Sequence, residues 1–189
     1  MEKTLLLVCD FINEIVDEKG VTGVHNAPRI MADKTMEKAN HMIAWARQHK
    51  IPVAHVKVGF DANYLSCPKS SPMFSKAAEF KKYQLGTWAT EFHPEMDVAE
   101  HDHIVIKHRV SALYGTDLEP LLRAGQIEHV VLCGVSTTYV IESTARELHD
   151  RDFTVTVIAD ACNAATEASH QASLVALSRF CQIKNHGDF

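Results

Sequence analysis

The sequence predicts an α/β fold in which a parallel sheet is covered by helices on both faces, and three observations support this. Short apolar runs, Leu5-Leu6-Leu7-Val8, Val130-Val131-Leu132-Cys133 and Val155-Thr156-Val157-Ile158, read as strands buried on both sides. Segments with apolar residues at helical spacing alternate with them, the pattern of right-handed crossovers. The 189 residues suit one domain, 1–189, with a substantial core.

In chain order, the first strand is expected to end at Cys9-Asp10. Asn26-Ala27-Pro28 offers a helix start, with Asn26 as N-cap and proline in the first turn. Met36, Ala39, Ile43 and Ala46 continue one helical face; Lys50 falls in the last turn and Pro52 stops it. Residues 53–58 alternate enough to form a second strand. From Gly59 to about Pro94 the chain reads as irregular, and a loop of that length usually helps to build a site. Ile104-Val105-Ile106 forms a third strand ending at Lys107, residues 118–124 a short helix stopped by Gly125, and 130–133 a fourth strand closed by Gly134. Ile141, Ala145 and Leu148 mark a helix capped by Thr137 or Thr138. A fifth strand over 155–158 leads to Asp160; residues 165–177 read as helical and 180–183 as a last strand.

Composition is that of an ordinary globular protein, 46% hydrophobic and 23% charged. A net charge of −5 with scattered basic residues gives no footprint for nucleic acid. No apolar run is long enough to cross a bilayer, and no secretory or lipidation signal is visible, so the expectation is a cytoplasmic protein. The five cysteines are widely spaced and odd in number, with no CxxC pair; they suggest free, mostly buried thiols.

Ligands of an open parallel sheet collect beyond the carboxyl ends of its strands. Those ends carry Asp10, the Gly59-Asp61 turn, Lys107, the Gly134-Val140 turn and Asp160. Asp10 and Lys107 read either as an acid/base couple or as a salt bridge closing the top of the sheet. The turn from Gly134 to Thr138 reads either as a binder of a carbonyl oxygen or anion at a helix start, or as an ordinary capped turn.

These residues resemble a known family, the isochorismatase-like hydrolases, also called the cysteine hydrolase or nicotinamidase-like superfamily. The resemblance covers nearly the whole chain. It runs from Leu5 through Asp10 to Asn13, then Gly86-Thr87-Trp88 with Pro94-Glu95, residues 106–112 and Tyr114-Gly115-Thr116-Asp117-Leu118. It continues with residues 131–137, Glu142-Ser143-Thr144-Ala145-Arg146 and Asp160-Ala161. It implies a three-layer sandwich with a six-stranded parallel sheet of Rossmann-like topology. It also implies a catalytic triad in which Asp10 matches the aspartate, Lys107 the lysine, and a cysteine acts as nucleophile. A cis peptide is implied at Val135-Ser136. Substrate-binding candidates are Ser136, Thr137 and Tyr139 of the turn, with Phe60 and Trp88 of the irregular segment, which read equally as core packing.

One position departs. The family pattern of glycine, valine, any residue, threonine, two residues and cysteine puts Val140 at the nucleophile. An aliphatic side chain has no proton to lose and no lone pair with which to attack, so acyl transfer through it is impossible. Cys133 lies in the strand, seven residues earlier, on the wrong side of the turn. Some family members lack the cysteine; true isochorismatases carry a small residue there and hydrolyse a vinyl ether with the aspartate as proton donor. The resemblance therefore implies a hydrolase of a small metabolite, a small-molecule substrate handled by a non-covalent, Asp10-dependent route. The alternative is a catalytically silent member that keeps the pocket for binding.

Nicotinamidases hold a metal with an aspartate and two histidines, whereas Asp61 here precedes Ala62-Asn63-Tyr64; no metal and no other cofactor is expected. Of the twelve histidines, His101 and His103 could share a strand face but show no third ligand and read as solvated surface residues, and His55 and His108 are placed nearest a pocket. Arg109 and Tyr114 are open between substrate contact and surface packing. Expected partners are a substrate and further copies of the chain in a homo-oligomer, with neither nucleic acid nor membrane.

Overall fold

The computed structural model describes residues 3–189. Its sheet consists of β1 (Thr4–Cys9), β2 (Val53–Val58), β3 (His103–Lys107), β4 (His129–Val135), β5 (Thr154–Asn163) and β6 (Gln182–Lys184). All five pairings are parallel, in the order β3-β2-β1-β4-β5-β6. Successive strand residues point to opposite faces, yet every residue from Leu5 to Cys9 and from Val130 to Val135 is buried. Helices must therefore cover both faces, as predicted. The outer strands differ: Ile106 of β3 is exposed and β6 has no fully buried residue, as expected at sheet edges.

Six α-helices connect the strands: α1 (Asn13–Val16), α2 (Gly23–Ala32), α3 (Thr35–Gln48), α4 (Leu118–Ala124), α5 (Glu142–His149) and α6 (Glu167–Leu177). Where one helix was expected between β1 and β2, there are two, plus the short α1. Lys34, in the left-handed region at φ 54°, ends α2 and opens α3. Asn26 is not an N-cap, because α2 begins at Gly23; its side-chain amide instead donates to the Ile15 carbonyl at 3.3 Å. Pro28 consequently lies inside the helix, not in its first turn.

The helix after β4 also starts differently. A single π-type turn, Thr137–Ile141, leads into α5, and Ser136 precedes it with no side-chain cap. Thr137 and Thr138 are not caps: their hydroxyls pair with His170 and Ser136. Strand β5 runs past its expected end, so Asp160 lies within it and bonds His186 Nδ1 at 2.5 Å. Asp160 therefore does not join the other strand-end groups.

The chain moves outward from β1 to β2 and β3, then returns to the other side of β1 for β4. That reversal opens a crevice beyond the carboxyl ends of β1 and β4. No α-helix or strand interrupts residues 59–87, and only the 3₁₀ turn Trp88–Thr90 follows. The far end of this loop is fixed to the strand tip by Phe60 N–H donating to the Tyr83 carbonyl and Leu85 N–H to the Phe60 carbonyl, both at 2.8 Å.

Candidate active site

Asp10 is the first residue beyond β1. Its N–H still donates to the Val56 carbonyl at 2.9 Å, but φ of 62° turns the chain out of the strand. Aspartate tolerates that left-handed conformation better than most residues. One carboxylate oxygen accepts from the Val58 N–H at 2.9 Å, and the other meets Lys107 Nζ at 2.9 Å. Sheet register brings the two together, because Val58 of β2 stands opposite Lys107 of β3. The Lys107 ammonium also donates to the Arg109 carbonyl at 3.2 Å.

The Asp10 and Lys107 side chains are only 4% and 3% exposed. Burial pushes the Asp10 carboxyl above its ordinary value of 3.8, while the Lys107 charge and the Val58 N–H pull the other way. A buried carboxyl raised in this way and bonded to an ammonium is a candidate acid/base group.

Both groups line a cavity of about 530 Å³, within the range of small-molecule sites. Val135, Ser136, Tyr139 and Val140 form its β4 side. The Val135–Ser136 peptide is cis, as the resemblance implied. Val140 is buried in the cavity wall. None of the five cysteines lines this space. Cys133 is fully buried in β4, and burial pushes its thiol well above the usual range, so it supplies no thiolate.

The remaining predicted residues take several places. Ser136 lines the cavity, its hydroxyl 2.7 Å from that of Thr138. Tyr139, 54% exposed, stands at the mouth. Thr137 is fully buried behind the turn, 2.8 Å from His170 Nδ1. Phe60, also without exposure, packs against Phe74 and Tyr83, which do line the cavity. Trp88 is partly exposed outside the cavity lining, and its carbonyl accepts from Asn13 Nδ2 at 2.9 Å. Of the two histidines placed nearest a pocket, His55 pairs with Asp102 at 3.2 Å and His108 Nδ1 meets the Gly59 carbonyl at 2.5 Å; neither lines this cavity. Arg109 donates to the Ser66 carbonyl at 3.0 Å, and Tyr114 is exposed. His103 pairs with Asp117, and His101 is exposed. Among the described residues, no three His, Cys, Asp or Glu side chains are grouped to hold a metal ion.

Sequence reasoning missed the wall supplied by the long loop. Pro72, Met73, Phe74, Lys82 and Tyr83 all line the cavity. The Tyr83 hydroxyl meets that of Thr22 at 3.0 Å, and Thr22 donates to buried Glu14 through N–H and hydroxyl at 3.0 and 3.2 Å. With the Thr22 proton on Glu14, Tyr83 is the donor to Thr22. No periodicity in residues 59–94 signals this; only the loop's length did.

Fold and site together define a parallel-sheet α/β protein with a buried acid–ammonium couple at its topological switch point. The sequence profile described as the isochorismatase domain matches residues 4–186. The chain belongs to the isochorismatase family. It is 34% identical over 175 residues to the isochorismatase family protein YecD of Escherichia coli O157:H7, covering 90% of this chain and 85% of that protein. It is 27% identical over 188 residues to the ureidoacrylate amidohydrolase RutB of Methylorubrum extorquens, covering 93% and 73%. The crystal structure of an isochorismatase family protein from Desulfovibrio vulgaris superposes with a TM-score of 0.88 over 99% of this chain and 96% of that one; at 20% identity it shows the shared fold.

Proposed function

We propose that this protein hydrolyses a small metabolite without a covalent enzyme intermediate, Asp10 moving the proton that a cysteine-dependent relative would take from its thiol. The observation that carries this reading is the buried Asp10–Lys107 pair, 2.9 Å apart, facing a cavity whose wall holds Val140 and no thiol.

In the forward step, protonated Asp10 donates its proton to a carbon or leaving-group oxygen of the substrate, and water adds to the electron-poor centre so formed. The bond from that centre to the leaving-group oxygen breaks either as that oxygen is protonated or, after protonation at carbon, as the hydrated adduct collapses to a carbonyl and an alcohol. The proton lost by that water returns to the Asp10 carboxylate, restoring the acid. Lys107 holds the intervening anion. The opening N–H groups of the Thr137–Ile141 turn supply positive dipole where negative charge develops on an oxygen. Ser136 and Tyr139 bound the substrate, with Phe60, Thr137 and Trp88 supporting from outside the lining. Our reading further takes the protein as a cytoplasmic homo-oligomer, which light scattering on the purified protein tests.

A panel of small amides, esters and vinyl ethers is the test. Asp10→Asn is expected to lower any turnover found by at least about 100-fold, and Asp10→Ala to abolish it, while iodoacetamide leaves the wild type unchanged. Turnover that iodoacetamide removes contradicts the route. Val140→Cys is expected to add amide or ester hydrolysis. No turnover by the wild type, and none gained with Val140→Cys, favours a catalytically silent member that keeps the pocket for binding.

A further inference from the structure

We propose that Lys82 is the specificity residue of this cavity and that it selects a small organic monocarboxylate as ligand. This rests on reading the Asp10 cavity as the substrate site.

Two cations line the cavity, Lys107 and Lys82. The first already has a side-chain partner, Asp10 at 2.9 Å. Lys82 is different. It is half-buried, and among the described residues no carboxylate lies within 4.0 Å of its ammonium. Its ammonium lies over the Tyr83 ring, 5.2 Å from the centroid. A lysine that lines a ligand-sized space and lacks a carboxylate partner is a recognition element for an anion. Lys82 thus offers one ammonium without a carboxylate partner, which a monocarboxylate matches; a phosphate dianion leaves a second charge without one. Apolar Ile15, Val58, Phe74 and Val110 line the same space and suit an apolar body on the ligand.

The surrounding segment has the same sign. Residues 68–83 contain Lys69, Lys76, Lys81 and Lys82 against one acid, Glu79, in a chain whose net charge is −5. None of these four ammonium groups has a carboxylate partner within 4.0 Å among the described residues. An excess of basic residues in the loop segment that supplies part of the cavity wall, in an acidic protein, favours the approach of anions.

The test is binding of matched probes at low ionic strength, by calorimetry: phenylacetate, its neutral amide phenylacetamide, and phenyl phosphate. The wild type is expected to bind phenylacetate about tenfold tighter than the amide, and tighter than phenyl phosphate. Lys82→Gln is expected to erase the preference for acid over amide with amide affinity unchanged; Lys82→Arg keeps it, and so does Lys81→Gln. The proposal is overturned by equal affinity for acid and amide, by no detectable binding of either, by tighter binding of phenyl phosphate, or by a preference that survives Lys82→Gln. Turnover plays no part in this readout. Acid preference without turnover sinks the hydrolytic reading alone, and Asp10-dependent turnover without acid preference sinks this one alone.

Discussion

Gly134 shows how little freedom single residues retain beside the site. Its φ is +140°, and a β-carbon there would lie 2.3 Å from the Cys9 carbonyl oxygen and 2.7 Å from the Cys9 β-carbon. The obstacle is the neighbouring strand and cannot rotate away. Gly134→Ala is expected to destabilise the fold by about 3 kcal/mol, read as a lowered urea midpoint at unchanged slope; a loss under about 1 kcal/mol would show that β1 and β4 separate easily. Asp10 is the opposite case, a residue that tolerates a left-handed conformation and uses it to turn its carboxylate from the strand line into the cavity. Truncating it leaves the Lys107 ammonium buried without its partner, which is why the isosteric asparagine accompanies alanine in the activity test.

Elements were legible where local chemistry is strong. Helix α4 follows its expected residues because Gly125 stops it where the apolar spacing ends. Helix α6 begins two residues later than expected, at a reciprocal capping box: Thr166 accepts from Ser169 N–H at 3.1 Å, and the Ser169 hydroxyl accepts from Thr166 N–H at 3.3 Å. Thr166→Ala is expected to cost about 1 kcal/mol. That corresponds to roughly 2–4 °C in Tm for a chain of this size by calorimetry, and an unchanged Tm would mean that packing alone fixes the helix start. The break between α2 and α3 had no such signal. Lys34 is not a residue that advertises a left-handed turn, and two helices at one sequence period look like a single long one.

At the scale of the molecule, the sheet sets both the site and the response to pH. Buried His55 bonds Asp102 at 3.2 Å, and Asp102 also receives Arg47 at 2.9 Å. Burial holds the His55 imidazole below its ordinary 6.5, with Asp102 pulling upward and Arg47 downward. His170 is lowered in the same direction, again chiefly by burial. Groups lowered in this way bind fewer protons folded than unfolded near that pH. Their stability contribution is complete above about pH 6.5 and is lost as pH falls below it, by up to about 1.4 kcal/mol per pH unit for each histidine. Urea unfolding from pH 8 to 5 is expected to show this decline, shallower in His55→Gln; an identical slope in that variant contradicts the assignment. Among the described residues no helix is long and apolar enough to cross a membrane.

Taken alone, the sequence determined the strands, whose continuous apolar runs admit burial on both faces only, and the residue types, aspartate, lysine and valine, that meet at the candidate site. Those are properties of single residues and of short periods, visible without partners. Tertiary structure alone decided which strand ends meet. Asp10 and Lys107 lie 97 positions apart, and the register of β2 against β3 joins them, while the same sheet keeps Asp160 inside β5. It also decided what an aperiodic loop does. Lys82 and Tyr83 reach the cavity because two backbone hydrogen bonds fasten the loop to Phe60, and a contact so distant in sequence leaves no mark in local spacing or composition.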